Sequence, residues 1–350
     1  MCGGGVWGVD KMEVKEINKQ IPNEVLSVLL IDRTTKKNII WATENYKKYG
    51  KGFEFDSKIK LDFVTGYNSS IIKPRSQKIK TEQKSRTKEK AEVFTPSWVC
   101  NIQNNTVDDE ILGVGAFNTH DEKTKTWTTN YNKIKFEKDI YTWQEYVLSS
   151  RLEITCGEAP YLVSRYDTVT GKEILLKDRI GMLDRKLRVT NENLIKNGAT
   201  KDEWFEWVKK SYQCTYGYEW QGDNLFLARQ NLMLTFFEYY EDRFDELPSV
   251  EDQLEIAEII SWNIWQMDGL RFVIPMSCKN KKIETHTFFG VEVREQKCEG
   301  CTSYDKKYWF KHNGIYCKIK DWKLNNGDKN GILRFVDNLK NTGLQGDKAK

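Results

Sequence analysis

Apolar positions along this chain fall into long helical stretches and short runs ended by turn residues. The clearest helix is Asn224–Tyr240, apolar on nearly every side, which predicts deep burial. Just before it, Tyr216-Gly-Tyr-Glu219 predicts a short strand ending on an acid. Ser249-Val-Glu-Asp252 resembles a capping box and opens a helix to about Ser261, and Asn263–Met267 then predicts a strand. Upstream, Val25–Ile31 predicts a helix, Thr34–Lys37 a turn and Asn38–Trp41 a short strand, with one further element in 55–72. Pro96 holds Thr95 extended, and Thr95 or Ser97 can cap a helix from Trp98. Residues 113–140 are polar and read as a loop or small excursion, and 141–150 as a helix leading into the strand Leu152–Thr155. Thr168–Lys172 has hairpin-turn chemistry, Ile180–Asp184 reads as a buried strand and Glu203–Lys210 as an amphipathic helix. Residues 1–20 read as a loose start and the last ten as frayed.

Helices alternating with short apolar strands predict an α/β fold with a mostly parallel sheet. In such sheets a carboxylate at a strand end, facing a helix start, suits ribose hydroxyls, and Glu219 is so placed. The turn Leu152–Glu158 and the segment Asn263–Leu270 fit the same pocket, so a nucleoside site is expected. Glu153 and Glu219 stand much farther apart than the ~30 residues of a simple strand–helix–strand unit. Either 162–215 is an insertion, the preferred reading, or Asp184 is the ribose carboxylate.

Composition adds limits. Hydrophobic residues make up 39% of the 350 positions and charged residues 30%, enough for a sizeable core under a well-solvated surface. Net charge is only +4, yet Lys73–Lys90 is strongly basic, which fits phosphate contact or a solvated helix or linker. No apolar run reaches the ~18 residues of a membrane span, and Met1–Trp7 lacks the pattern of a signal peptide. A cytoplasmic location without membrane contact is therefore expected, with the eight cysteines as thiols or metal ligands. With three histidines in the chain and no phosphate-cradling Gly-Lys-Ser/Thr loop, histidine catalysis and nucleotide hydrolysis have little footing.

Cys298-Glu-Gly-Cys301 is half of a tetrahedral zinc site, since both thiolates can face one ion. Cys317 with either Cys278 or His312 completes the set in this reading, and its role is structural; free thiols on a loop are the alternative. Tyr308-Trp-Phe-Lys-His312 mixes aromatics with bases and either touches DNA or roofs the knuckle.

Phe94-Thr-Pro96, Glu153-Ile-Thr-Cys-Gly157, Glu219-Trp220 and Asp268-Gly-Leu270 occur in the order seen in adenine-specific, amino-methylating DNA methyltransferases. Over roughly 25–335 the chain resembles the bacterial restriction endonuclease subunit M family, most closely in Ala91–Val99, Arg151–Asp167, Gly217–Asn231 and Ile256–Leu270. The resemblance implies a Rossmann-like S-adenosylmethionine-dependent methyltransferase sheet in 91–275, after an N-terminal α+β region with a basic linker (1–90) and before a zinc-knuckle and DNA-contact region (276–340). It implies Phe94, Thr95 and Pro96 over the methionine end of S-adenosylmethionine, and Glu153 on that methionine's amino group. Thr155, Cys156 and Gly157 then form the turn, Glu219 binds the ribose, Trp220 stacks beside the adenine, and Asp268 with Gly269 receives the adenine amino group.

The chain departs from the pattern in three places. Ile154 stands where Pro is usual, and Glu158 where a small residue is usual, so a carboxylate could face the ligand. The wide spacing between Glu153 and Glu219 is the second departure. The third is that no Pro-Pro catalytic signature occurs; Asp321 and Trp322 are the weak substitute, and a surface acid with a packing indole is the alternative. The expected function is adenine methylation in double-stranded DNA within a restriction-modification system, with a restriction or specificity subunit as partner. The alternatives are a non-catalytic nucleoside- or DNA-binding subunit and a defence-associated nuclease component.

Overall fold

A computed structural model describes residues 21–90, 92–137, 141–194, 198–288, 290–323 and 331–341. The expected loose start and nearly all of the last ten residues lie outside these.

In chain order the regular elements begin with helix α1 (Asn23–Leu30), the two-residue strands β1 (Ile31–Asp32) and β2 (Lys37–Asn38), and helices α2 (Lys80–Lys90) and α3 (Ser97–Leu112). A hairpin of β3 (Asn118–Asp121) and β4 (Thr126–Thr129), helix α4 (Trp143–Leu148) and strand β5 (Arg151–Glu153) follow. Helices α5 (Met182–Leu194) and α6 (Lys201–Gln213) lead to β6 (Thr215–Glu219), and helices α7 (Gly222–Phe244) and α8 (Val250–Asn263) lead to β7 (Ile264–Gln266). The C-terminal part holds the hairpin β8 (Lys281–Thr287) and β9 (Gly290–Gln296), the pair β10 (Lys318–Lys320) and β11 (Ile332–Arg334), and helix α9 (Phe335–Asn341).

The centre is a three-stranded parallel sheet in the order β5-β6-β7, with Glu153 opposite Gly217 and Glu219 opposite Gln266. Among the described residues it is the only sheet wider than two strands, so the fold is mixed α/β with small sheets. The segment 162–215 forms the β5-to-β6 crossover, carrying α5 and α6.

Pleat alternation sorts the sheet's side chains to two faces. Gly217 and Ile264 face the main core, where Val25, Leu26 and Leu29 of α1 meet Leu225, Phe226 and Leu232 of α7 and Ile256 and Ile260 of α8. The burial of α7 is nearly continuous here, with polar Asp223, Arg229 and Asn231 taken in along with the apolar residues. Tyr218 and Trp265 face a second cluster with Phe272, Cys317, Ile319 and Phe335 from the C-terminal part.

Several local expectations give way to tertiary partners. Ile180–Asp184 is not a strand: α5 starts at Met182, and buried Asp184 accepts hydrogen bonds from the Ser164 backbone N–H at 2.8 Å and the Ser164 hydroxyl at 3.2 Å. Asp184 therefore does not stand at a strand end. Neither Thr95 nor Ser97 caps α3 with its side chain; Asp167 reaches in and accepts the Ser97 N–H at 2.7 Å. The small excursion within 113–140 is the β3–β4 hairpin. The basic stretch is only partly solvated. Lys78 and Arg86 turn inward, and Arg86 lies 2.9 Å from Asp223 and 2.6 Å from Glu92.

Candidate functional site

The carboxyl ends of β5 and β6 open into a cleft of about 540 Å³. The turn after β5 shapes its floor. Thr155 (φ 47°), Gly157 (φ 54°) and Ala159 (φ 65°) all adopt left-handed conformations, which only glycine takes without strain. The chain thereby doubles back so that Cys156 N–H donates to the Tyr218 carbonyl at 2.8 Å. Gly157 N–H donates to Glu219 Oε2 at 2.9 Å, and Gln221 N–H to Oε1 at 3.1 Å. Glu153 in turn accepts the N–H groups of Tyr161 and Leu162 at 3.4 and 3.2 Å.

Both carboxyl groups are buried, and burial pushes both above the ordinary carboxylate range. The backbone donors oppose this at each, while the charge of Glu219 adds to it at Glu153, and the charges of Asp223 and Glu92 add to it at Glu219. The Cys156 thiol is pushed well up as well, by burial and then by the charges of Glu153 and Glu219.

Phe94, Thr95, Glu153, Thr155, Cys156, Gly157, Glu219 and Trp220 line the cleft together. Pro96 sits just behind, at the N-terminus of α3. Glu158 turns away from the lining and accepts hydrogen bonds from the Arg75 N–H and the Tyr166 hydroxyl, both at 2.6 Å, so its carboxylate does not face the cleft. Asp268 and Gly269 are not in the lining. The Asp268 carboxylate accepts the Leu270 and Arg271 N–H groups at 3.0 and 3.2 Å and pairs with the Arg271 guanidinium at 2.7 Å, while Gly269 packs on the Tyr218 ring.

Asp321 and Trp322 are also outside the lining. The Trp322 indole donates to Asn263 Oδ1 at 2.8 Å, and Asn263 closes α8 just before β7 starts, at the sheet end away from the cleft. Asp321 accepts the Lys323 N–H at 2.9 Å.

Sequence reasoning missed Ala42, Phe55, Glu92, Tyr161, Gln221 and Asn224 among the lining residues. Glu92 could have been suspected from its place two residues before Phe94, and Gln221 and Asn224 from the helix start after Glu219. Ala42 and Phe55 arrive from the N-terminal region with no motif to mark them.

A second site lies in the C-terminal part. Cys278, Cys298, Cys301 and His312 form a group that can hold a metal ion, their donor atoms all within 4.8 Å of one another. The three sulfurs stand 3.6, 3.9 and 3.6 Å from His312 Nδ1. A tetrahedral ion with bonds of ~2.3 Å to sulfur and ~2.0 Å to nitrogen sets that separation near ~3.5 Å. A side chain at Gly300 would put its Cβ 2.5 Å from Nδ1, so the close approach of His312 needs glycine. The Asn313 N–H donates to Cys298 Sγ at 3.2 Å. Both candidates for the fourth ligand are thus in the group, and Cys317 is not. Cys317 is fully buried in the second core cluster, 3.3 Å from the Gln266 carbonyl.

No helix among the described residues is long and apolar enough to cross a membrane. No family model matches the chain, and neither a curated protein nor a solved structure shows significant similarity to it.

Proposed function

We propose that the cleft binds S-adenosylmethionine and that the chain is a DNA methyltransferase-like protein of a restriction-modification system, transferring a methyl group to the adenine amino group in double-stranded DNA. The observation that carries this reading is the cleft lining. It holds three buried carboxylates, Glu92, Glu153 and Glu219, and no lysine, arginine or histidine among the described residues. Such a lining offers acceptors and no cation to hold the phosphates of a nucleotide cofactor. S-adenosylmethionine brings no phosphate; its sulfonium, ammonium and carboxylate sum to one positive charge, and it carries ribose hydroxyls. In this reading Glu153 takes the methionine amino group and Glu219 the ribose. A bound cation favours the ionised form of both carboxyl groups.

The C-terminal part suits the DNA. Residues 271–323 carry twelve Lys and Arg against six Asp and Glu, an excess that favours the phosphate backbone. Three thiolates and an imidazole are a donor set that zinc takes and that magnesium and calcium do not, so the metal group is assigned to structural zinc.

The position of Asp321 and Trp322 at the far end of the sheet favours a second reading, a non-catalytic subunit that keeps the cofactor cleft and works with a restriction or specificity partner. Calorimetric titration with S-adenosylmethionine tests the cleft, and labelled-methyl incorporation into host DNA tests transfer. Binding with incorporation supports the first reading, and binding without it the second. No binding at millimolar ligand overturns the cofactor site.

A further inference from the structure

Glu92 is held from one side only. Its side chain is 4% exposed, and Oε2 accepts from Arg86 Nε at 2.6 Å and from Gln221 Nε2 and Asn224 Nδ2 at 3.2 Å each. Oε1 is buried without a hydrogen-bond partner among the described residues, and Glu92 lines the cleft. A buried acceptor left unmet is costly, more so when charged, and a bound ligand is one way to meet it.

The three carboxylates follow one another along the cleft. The Gly157 turn joins Glu153 to Glu219, and Gln221 joins Glu219 to Glu92, its backbone N–H on the one and its side chain on the other. If the methionine amino group lies at Glu153 and the ribose at Glu219, the base comes next. Flat apolar walls suited to a base adjoin Glu219: the Trp220 indole donates to the Ala42 carbonyl, and the Ala42 N–H to the Phe55 carbonyl. Asp268, expected from the sequence to receive the adenine amino group, is committed elsewhere.

We infer that Glu92 Oε1 accepts a hydrogen bond from the exocyclic amino group of the adenine in the cleft, so that Glu92 selects adenine over a 6-oxopurine. The inference rests on the S-adenosylmethionine reading. A 6-oxopurine presents a carbonyl oxygen at the same place, and two acceptors repel.

The test is calorimetry with S-adenosylhomocysteine and its 6-oxo counterpart, S-inosylhomocysteine, on the wild type and on Glu92→Gln. The wild type should prefer the adenosyl compound by about tenfold or more, the worth of one such hydrogen bond. In Glu92→Gln the three donors around Oε2 hold the amide oxygen there, so the NH₂ replaces Oε1 and presents a donor to the base. The preference should then vanish or reverse, while Glu153→Gln leaves the ratio unchanged. Equal wild-type binding of the two compounds overturns the inference even if the variant fails to fold. So does a Glu92→Gln protein that keeps the wild-type ratio or loses both compounds equally. A wild type that binds S-adenosylhomocysteine but shows one of these results sinks the Glu92 assignment alone; one that binds neither compound sinks the cofactor reading as well.

Discussion

In the cleft, the carboxylates of Glu153 and Glu219 are fixed by backbone N–H groups of a strained turn and a helix start, and the elements carrying them are set in the main core. In the knuckle, the four donors come from loops and a single turn of 3-10 helix, and the hairpin between Cys278 and Cys298 is exposed along β9. The first region makes its geometry from burial and exists before any ligand arrives. The second has little apolar area of its own, and an ion must supply what a core supplies elsewhere.

Metal removal should divide the two regions most sharply. Structural zinc is worth on the order of 10 kcal/mol in small metal-folded units, so chelation or Cys298→Ser should release residues 278–313. Hydrogen exchange should rise there and stay slow in β6 and α7; fast exchange in α7 would show that the core leans on the metal. Metal analysis should find one zinc per chain.

Arg86→Met is the counterpart in the other region. It leaves Asp223 and Glu92 buried with their main cationic partner gone, a loss of about 3–5 kcal/mol in the denaturation midpoint. Zinc content should not change. Burial raises Asp223, but the Arg86 and Lys78 charges overcome it and hold the group at about 2, so the contribution is full above its ordinary 3.8 and is lost as pH falls through about 2.

A smaller effect is expected from Glu219→Gln, which should weaken S-adenosylmethionine binding by about 1–3 kcal/mol with zinc content unchanged. Unaltered affinity would remove Glu219 from the ligand's contacts.

A further signal is a slope with pH. Lys186 is buried under the starts of β5 and β6, with Nζ 2.5 Å from the Ser149 carbonyl and 3.1 Å from that of Cys214. Burial lowers it from 10.5 to about 7. Below pH 7 both states carry the proton and the burial cost is complete. Between 7 and 10.5 the unfolded chain binds a proton that the folded chain lacks, so stability rises with pH and then levels. Lys186→Met should flatten that rise in denaturation midpoints at pH 7, 8.5 and 10.

The strand β6, the acid at its end and the helix α7 were legible because an unbroken apolar helix after a short strand has few other places to go. The Cys-x-x-Cys pair was legible because its spacing alone brings two sulfurs together. The errors share one cause, a choice settled by a distant partner. Ile180–Asp184 is a short apolar run whose period decides nothing, and Ser164 meeting Asp184 belongs to its helical state. Lys78 and Arg86 look like any residues of a basic run until Asp223 and Glu92 appear beside them. Cys317 has the chemistry of both a ligand and a small apolar side chain, and the second core cluster takes it.

The hairpin β8–β9 leaves and re-enters the chain at two members of the metal-capable group, Cys278 and Cys298. A loop anchored this way is insulated from the rest of the molecule. Its length and surface can be rewritten without disturbing either core, since the fold requires only that its two ends meet. The knuckle is therefore a socket, and the hairpin a fitting whose two ends alone the rest of the fold constrains.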